Sequence, residues 1–355
     1  MVLEPQWEAM FAYNSYGFRP GKSHHDAIEK ICSNLSGGDG FIANVNLSRA
    51  LLRLDNKFLI SFLQGHPCLV KKVKEWLRNG LAAEYLRQSS SFDQHVFCLP
   101  NGVILAPLLI NIVLNEIILT IRSESMMPAN RVGSSNIVCY GPHLVITAES
   151  PQSVDISIQI LQRWFSDRGV FIDRKDLDVR AIHNGFNFLN HQILVNRKRE
   201  AGNLVEVVPS KQAIQLFNQK NREIIQSLKS GPIKLLIKYL RPRILHWGAI
   251  YSPYYSQPTF MYIDKVLFSQ LRAAVLRRHP RKSKHWINNK YFPSRRSYYF
   301  GNKKRHASWI LTDTSSLAAD FLPRIQWVER RHSVKAIEPK SVYDRDVAYW
   351  NKRSN

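Results

Sequence analysis

The stretch Asn136-Ile137-Val138-Cys139-Tyr140-Gly141-Pro142-His143-Leu144-Val145-Ile146-Thr147 reads as strand, because apolar β-branched and aromatic side chains are frequent in it. Residues 41–47 and 186–196 carry a similar strand-like pattern. Residues 57–89 and 107–124 have apolar side chains at helical spacing instead. Strands and helices therefore mix along this part of the chain without a repeat, which predicts an α+β fold.

From residue 210 onward the pattern becomes helical. Ser210 can cap a helix over 211–229, and two further helices are predicted over 232–251 and 259–278. A Gly-Pro pair and a Ser-Pro pair separate the three helices. Beyond about residue 292 the chain is basic, aromatic and irregular, and we expect this tail to order only on RNA.

The charge of the chain favours a polyanionic partner. The 355 residues include 50 Lys and Arg against 27 Asp and Glu, a formal net charge of +23, which is far more than solubility requires. Residues 205–355 hold 29 basic against 9 acidic residues, whereas residues 1–204 hold 21 against 18. Nucleic acid is therefore the expected partner, and the surface that binds it should lie mainly in the C-terminal part.

Other classes of protein are not favoured. No segment approaches the ~20 uninterrupted apolar residues of a membrane span, and the N-terminus lacks the pattern of a secretion signal. We therefore expect a soluble protein that is neither secreted nor bound to a membrane. The four cysteines, Cys32, Cys68, Cys98 and Cys139, are too widely spaced to suggest a zinc site or a disulfide framework. They are expected to be small buried thiols in a reducing compartment.

Three regions hold specific motifs. They are Glu4–Glu8 with Asn14–Ile28 (NSYGFRPGKSHHDAI), then Pro100–Ile112 (PNGVILAPLLINI), and finally the helical region with Pro209–Lys211, Leu245–Tyr251 and Arg277–Trp286. In this order they resemble the fingers block, the nucleotide-side block and the thumb of the group II intron-encoded reverse transcriptase and maturase family, especially its bacterial and chloroplast-like branch. The resemblance covers nearly the whole chain.

The resemblance implies a right-hand polymerase architecture. Residues 1–204 would form degenerate fingers and palm, residues 205–292 an α-helical maturase-specific thumb (domain X), and residues 293–355 a basic aromatic tail. The segment Ser341–Trp350 resembles the one that precedes the HNH endonuclease of the family. We expect that endonuclease to be absent, together with the N-terminal extension that precedes the fingers block in the family.

Polymerases of this family hold two Mg²⁺ ions with three aspartates, because clustered carboxylates bind hard cations tightly enough to align the reactants. The resemblance places Asn46, Pro142 and His143 at those three positions. In the nucleotide-side block, Asn101 and Val103 replace a glutamine and a glycine, so a β-branched side chain stands where close backbone approach is needed. We therefore predict no catalytic residues, no metal, no cofactor and no small-molecule substrate.

Some of these positions have competing interpretations. His143 could act as a metal ligand or general base, but no carboxylate or second histidine accompanies it in the stretch 136–147, which the resemblance implies is a hairpin. Asp26 and Asp55 could serve as replacement metal ligands. Structural roles are favoured for both, since Asp26 can cap or pair near a helix that starts at Ala27, and Asp55 lies in a charged helical stretch.

Basic residues interleaved with aromatic ones are typical of RNA-binding surfaces, since cations contact phosphates and rings stack on bases. The predicted RNA-binding residues of the C-terminal part are Lys211, Arg277, Arg278, Arg281, Lys282, Lys284, Arg295, Arg296, Lys303, Lys304 and Arg305. Arg19 and Lys22 are added because the resemblance implies that they face template or intron RNA. The competing interpretation of the cluster at 277–286 is a solvated basic helix end. For Trp247 and Trp286, packing in the thumb core is favoured over stacking on bases.

The resemblance implies an RNA-binding, maturase-like protein that assists group II intron splicing and RNA folding, with an inactive polymerase site. Its partner would be structured RNA, in a ribonucleoprotein or a homodimer. Two alternatives stay open: an active RNA-directed DNA polymerase with relocated metal ligands, and a non-functional remnant or structural ribonucleoprotein subunit. The expected location is the bacterial cytoplasm or an organellar stroma or matrix.

Overall fold

The computed structural model describes residues 4–37, 39–62, 70–71, 106–125, 135–198, 202–254, 256–293, 296–307, 309–313, 320–330, 336–337, 340–344 and 346–354. The chain divides into two compact units. The first unit is drawn from Met1–Gly185, Leu194–Val205 and Val334–Asn355, and the second from Phe186–Ile193 and Glu206–Ser333. Every helix in the described ranges is too short or too polar to cross a membrane.

The first unit is built on a four-stranded antiparallel sheet. Its strands are β1 (Phe41–Asn46), β2 (Asn136–Tyr140), β3 (His143–Ala148) and β4 (Leu177–Ala181), in the order β2-β3-β1-β4. The strands predicted at 41–47 and 136–147 are thus confirmed, and the second of these stretches is a hairpin. It turns at Gly141, whose φ of 53° favours a residue without a side chain.

Helices surround this sheet. They are α1 (Glu4–Glu8), α2 (His24–Leu35), α3 (Ser48–Leu52), α4 (Asn56–Ser61), α5 (Ala106–Ser125) and α6 (Pro151–Ser166), with a 3₁₀ turn at Arg174–Asp176. The helix predicted at 107–124 is confirmed by α5. The one predicted at 57–89 is confirmed at α4, and most of its remaining length lies outside the described residues. So do Asn101 and Val103.

Both faces of the sheet are buried. Val45, Leu144 and Ile146 belong to one core with residues of α5 and α6. Because side chains alternate along a strand, Ile42 and Val145 point to the opposite face, where they are also fully buried. Helix α2 packs on β2 and β3. A sheet covered on both sides fixes the positions of its turns, including the one between β2 and β3.

The strand predicted at 186–196 is two strands. Strands β5 (Phe186–Phe188) and β6 (His191–Lys198) form an antiparallel hairpin, and β7 (Gly202–Pro209) follows in a sheet of order β5-β6-β7. Leu189 and Asn190 both have positive φ, as a two-residue hairpin turn of type I′ requires. Leucine seldom adopts that conformation, which is why the turn gave no clear signal in the sequence.

The second unit is mainly helical. Its long helices are α7 (Lys211–Ser227), α8 (Ile233–Tyr251) and α9 (Gln257–Arg278), followed by the shorter α10 (Lys284–Tyr291). All three predicted helices are confirmed. Ser210 caps α7 by accepting from the backbone N–H of Ala213, as expected. Trp247 stacks on Phe217 with ring centroids 4.9 Å apart in the core between these helices.

The expectation of an irregular tail beyond residue 292 is wrong for the described residues. They contain β8 (Ser297–Phe300), β9 (Lys303–His306), β10 (Thr312–Asp313), β11 (Asp320–Phe321), a 3₁₀ turn at Ile325–Trp327 and α11 (Val347–Ser354). Tyr298, Ile310 and Trp327 form a small core of their own. The local signal was the Gly301-Asn302 pair between β8 and β9, where Gly301 has a φ of 58°.

Candidate functional site

Two of the three positions expected to carry catalytic carboxylates face each other in the first unit. Asn46, the last residue of β1, is the direct partner of His143, the first residue of β3. Opposed residues on antiparallel strands have their side chains on the same face, close together. The fold therefore brings an amide and an imidazole together where the resemblance implies metal-binding aspartates.

The side chain of Asn46 already has partners. Its Oδ1 accepts from the backbone N–H of Ser48 at 3.0 Å and from Ser48 Oγ at 2.7 Å, which holds the start of α3. The carbonyl oxygen of Pro142 accepts from the N–H of Leu47 at 2.7 Å. Both residues thus stabilise the junction of the hairpin turn with α3.

The imidazole of His143 is largely shielded from water. Burial lowers the pKa of its imidazole to about 4, so the ring is neutral at pH 7. Its Nε2 is buried and has no hydrogen-bond partner among the residues described. Within the same ranges, no three His, Cys, Asp or Glu side chains cluster closely enough to hold a metal ion.

The stretch 14–18 packs against the turn between β2 and β3. Ser15 forms a parallel bridge with Cys139, and the N–H of Tyr16 donates to the Cys139 carbonyl at 2.8 Å. A Cβ on Gly17 would lie 1.9 Å from the backbone nitrogen of Gly141. Burial raises the pKa of the Cys139 thiol to about 12, and it does the same for the thiol of Cys32. Neither thiol is therefore reactive at neutral pH. Cys68 and Cys98 lie outside the described residues.

Asp26 and Asp55 have structural roles, as predicted. Asp26 forms a capping box with Ser23, so α2 starts at His24 rather than at Ala27. The Asp26 carboxylate also pairs with Arg353 of α11, and its side chain is 1% exposed. Asp55 caps α4 by accepting from the N–H of Lys57. Neither carboxylate belongs to a metal cluster in the described part of the chain.

Arg19, one of the residues predicted to contact RNA, lies inside the first unit rather than on its surface. Its guanidinium binds the Glu8 carboxylate at 2.7 Å, with side chains 5% and 1% exposed, and also donates to the carbonyls of Ala12 and Ser15. All of its contacts are internal because the chain folds back over it between α1 and α2. Lys22 is half-buried, with its ammonium 5.8 Å from the centroid of the Tyr16 ring.

The second unit presents most of the other predicted cations to solvent. Exposed members of the predicted set in its helical part are Lys211, Arg277, Arg281, Lys282 and Lys284. Arg278 is half-buried and donates to the carbonyl of Leu228 at 2.7 Å, near the C-terminal end of α7. Arg277, Arg281, Lys282 and Lys284 lie within eight positions of one another in a segment suited to phosphates. Lys211 begins α7, about 25 Å from the end of that helix at which Arg278 contacts Leu228.

The two tryptophans of this unit differ. Trp247 is 7% exposed and packed in the core, as expected. Trp286 is half-buried: it packs on the edge of that core, and the ammonium groups of Lys282 and Lys290 lie 5.4 and 4.8 Å from its ring centroid. Trp286 thus anchors the basic segment at its core-facing end.

The hairpin of β8 and β9 separates its basic residues by face. Tyr299 opposes Lys304, and both are exposed, with Tyr299 at 72%. On the other face, Lys303 and Arg305 pair with Glu329 at 2.8 and 3.5 Å. Of the predicted residues here, Lys304 is thus the better placed for RNA. Arg296 is exposed just before the hairpin, and Arg295 lies outside the described residues.

Sequence reasoning missed two basic residues, Arg222 of α7 and Lys229, which lies just after that helix. They line a recess that they share with Arg277 and Arg278 of α9. A signal was present in the spacing, because the sequence predicted a helix through Lys229 and residues seven apart lie on one face of a helix. It was weak, since several polar residues of α7 have similar spacings.

Comparison with known families agrees with the two-part organisation. Residues 1–193 match the family described as reverse transcriptase (RNA-dependent DNA polymerase), and residues 214–292 match the group II intron maturase-specific domain. The chain belongs to the group II intron-encoded reverse transcriptase and maturase family.

Curated relatives carry related descriptions. An uncharacterized 91 kDa protein in the cob intron of Schizosaccharomyces pombe is 30% identical over 117 residues, which are 33% of this chain and 14% of that protein. The mitochondrial nuclear intron maturase 1 of Arabidopsis thaliana is 36% identical over 89 residues, 25% of this chain and 12% of that protein. The chain thus matches only a small part of the length of either relative.

Among solved structures, a telomerase from Candida albicans in complex with a fragment of telomeric RNA aligns with a TM-score of 0.35 and 8% identity. The alignment covers 81% of this chain and 55% of the telomerase chain.

Proposed function

We propose that this protein is an RNA-binding maturase that stabilises the folded form of a group II intron RNA and does not polymerise DNA. In this proposal residues 1–204 are fingers and palm that serve as a scaffold, and residues 205–292 are the thumb that binds RNA. A protein that binds only the folded form of an RNA shifts the folding equilibrium toward that form by mass action. No chemical step by the protein is required.

The pairing of Asn46 with His143 supports the part of the proposal that denies polymerase activity. Two-metal catalysis needs carboxylates that bridge two cations about 4 Å apart. An amide whose oxygen already accepts two hydrogen bonds and a neutral buried imidazole bring no negative charge to this place. The third position, Pro142, has no side-chain ligand to offer.

The exposed cations of the second unit support the part of the proposal that assigns RNA binding. Lys211, Arg277, Arg281, Lys282 and Lys284 are exposed, and residues 205–355 have 29 basic against 9 acidic residues. Contacts between cations and phosphates release condensed counterions, so binding should weaken steeply as the salt concentration rises.

Primer extension on an RNA template tests the inactive site. We expect no incorporation above the background without protein, in Mg²⁺ or in Mn²⁺, while an active reverse transcriptase added to the same reaction extends the primer. Incorporation by the wild-type protein that fails in the variant His143→Ala would overturn this part of the proposal.

Filter binding and splicing assays test the RNA-binding role. We expect the protein to bind a group II intron RNA more tightly than an unrelated structured RNA of equal length, and to raise the spliced fraction at low Mg²⁺. The double variant Arg277→Glu/Lys282→Glu should lose at least about tenfold in affinity at moderate salt. Lys352→Glu/Lys30→Glu, with the same change of net charge in the first unit, is the matched control. Equal affinity for both RNAs would contradict maturase specificity.

A further inference from the structure

The second unit contains a recess at the ends of two helices. Helices α7 and α9 pack against each other, and the recess between their C-terminal turns has a volume of about 780 Å³. Small side chains on α9, including Ser269, Ala273 and Ala274, leave the space open on one side. Ile225 and Tyr291, both buried, contribute apolar surface. The volume lies within the range of pockets that enclose small organic groups.

The charge of the recess is entirely positive. Arg222 of α7, Lys229 just after that helix, and Arg277 of α9 line it and are exposed. None of the residues that line it is an aspartate or glutamate. The neighbouring Glu223 is occupied, since it accepts from Gln219 Nε2 at 2.9 Å. An anion can therefore approach the recess without meeting a carboxylate in its lining.

Polar and aromatic groups line the recess in addition to the cations. The exposed Gln226 brings a side-chain amide that can pair with the edge of a base, whereas the Nε2 of Gln270 already donates to the carbonyl of Asn218 at 3.2 Å. The rings of His279 and Tyr291 are stacked, with centroids 5.6 Å apart, and His279 Nε2 lies 2.6 Å from the Tyr291 hydroxyl. Burial and the charges of Lys290, Arg278 and Lys282 lower the pKa of His279, so this ring stays neutral and is suited to stacking.

This combination fits one feature of folded RNA better than others. Bases in a duplex are stacked and cannot enter a recess, whereas an unpaired base in a bulge or loop can be turned outward and held by stacking and edge contacts. The phosphates on either side of such a base would then lie at the rim, within reach of exposed arginine and lysine side chains. A flat basic surface could bind phosphates but would not distinguish paired from unpaired nucleotides.

We propose that the recess between α7 and α9 binds a single unpaired nucleotide of structured RNA, with its base inside and the flanking phosphates on Arg222, Lys229 and Arg277. This inference rests on the proposed RNA-binding function and adds a site and a preference to it. It explains how a thumb with a general surplus of charge could select a folded RNA that displays a bulged base.

Two RNA stems test the inference. One is fully paired, and the other is identical except for a single bulged adenosine. We expect the wild-type protein to bind the bulged stem about tenfold more tightly, since one stacked base contributes on that scale. The variant Ala273→Phe fills the recess without changing any charge, and it should remove this preference while it retains affinity for the paired stem. Ala249→Phe, at an exposed alanine of α8 that does not line the recess, is the matched control and should keep the preference.

Cross-linking gives a second measurement that does not depend on a variant. A bulged 4-thiouridine, cross-linked to the wild-type protein by light, should attach to peptides that contain Gln226 or residues 269–274. Attachment to other peptides only, or a folded Ala273→Phe variant that still prefers the bulge, would overturn the inference. If the protein selects intron RNA but binds both stems equally, only the inference that the recess binds a nucleotide is overturned. If it binds no structured RNA, the proposed function is overturned as well.

Discussion

Arg19 and Glu8 form an ion pair that is almost completely removed from solvent, with Nη2 2.7 Å from the carboxylate oxygen and side chains 5% and 1% exposed. The same guanidinium reaches the carbonyls of Ala12 and Ser15, so it ties α1 to the segment before α2. These contacts of Arg19 therefore help to hold the stretch 14–18 against the turn between β2 and β3.

Replacement of Arg19 by methionine should destabilise the protein. The substitution leaves the Glu8 carboxylate buried without its partner, and breaking a buried pair in this way costs about 3–5 kcal/mol. Urea denaturation followed by circular dichroism measures the loss. Lys22→Met, three residues away and half-buried, is the control and should cost less than about 1 kcal/mol.

A double variant that removes both charges of the Arg19–Glu8 pair separates an effect on stability from an effect on RNA binding. In Glu8→Leu/Arg19→Met both charges are absent, so much of the lost stability should return. An Arg19→Met protein that keeps wild-type stability but loses affinity for RNA would contradict this structural role, and would restore the RNA contact implied by the resemblance.

Local signals made the second unit the more predictable part. Ser210, with helical spacing after it, sets the start of α7, and Pro232 and Pro253 mark breaks between helices, so each boundary could be read within a few residues. The internal role of Arg19 could not be read in this way. Its partner Glu8 is eleven residues away, and only the folded chain shows that both are buried.

The candidate sites also combine features that the sequence predicts with features that only the folded chain shows. The opposition of Asn46 and His143 depends on the pairing of β1 with β3, which are separated by almost a hundred residues. The resemblance supplied the two positions, but the hydrogen bonds of Asn46 to Ser48 required the structure. The recess on α7 and α9 likewise depends on how two helices pack, and the charge pattern along either helix alone does not reveal it.

The close approach of Gly17 to Gly141 predicts an unusually damaging substitution. In Gly17→Ala the new Cβ would lie 1.9 Å from a backbone nitrogen, and no side-chain rotation can relieve that overlap. We expect a loss of about 3 kcal/mol or more in the free energy of unfolding. Thermal denaturation of the purified variant measures it, or a failure to obtain soluble protein shows it directly.

Gly169→Ala is the matched control. Gly169 has a φ of 70°, but no atom lies within 4 Å of a Cβ built on it. Only the conformational strain remains, which costs about 1 kcal/mol. Similar losses in Gly17→Ala and Gly169→Ala would mean that the stretch 14–18 does not pack against the turn as described.

The two faces of the β8–β9 hairpin should contribute unequally to RNA binding. Tyr299 and Lys304 share the exposed face, whereas Lys303 and Arg305 pair with Glu329. Tyr299→Ala should weaken binding to single-stranded RNA by about 1–3 kcal/mol if the ring stacks on a base. Lys304→Ala should reduce the dependence of affinity on salt, by about one unit in the logarithmic slope. Fluorescence anisotropy at several salt concentrations measures both effects.

Lys303→Ala provides the comparison for this hairpin. Its ammonium is held by Glu329 at 2.8 Å, so its loss should change the salt slope less than Lys304→Ala does. Equal effects of the two lysine variants would show that RNA displaces the Glu329 contact. If Tyr299→Ala leaves the affinity for RNA unchanged, the hairpin does not belong to the RNA-binding surface.

Asp264 should make the stability of the second unit depend on pH. Its side chain is buried, with the whole residue 2% exposed, and accepts from the N–H groups of Ile325 and Gln326 at 3.0 and 3.3 Å. Burial raises the pKa of this carboxyl from 3.8 to about 6, although those N–H groups and the charge of Arg324 act to lower it. The folded protein therefore holds the proton more tightly than the unfolded chain, so the contribution of Asp264 is most favourable at low pH and is lost as the pH rises from about 4 to 6.

The variant Asp264→Asn isolates this effect, because it keeps an acceptor for the N–H of Ile325 but does not titrate. The unfolding free energy of the wild-type protein, minus that of the variant, should fall by roughly 2 kcal/mol between pH 4 and pH 7, because the pKa is shifted by about two units and the unfolded group has begun to titrate by pH 4. Urea denaturation at several pH values measures the difference, and other titrating groups cancel in the subtraction. A difference that stays constant, or grows with pH, would mean that the folded protein does not hold the Asp264 proton more tightly than the unfolded chain does.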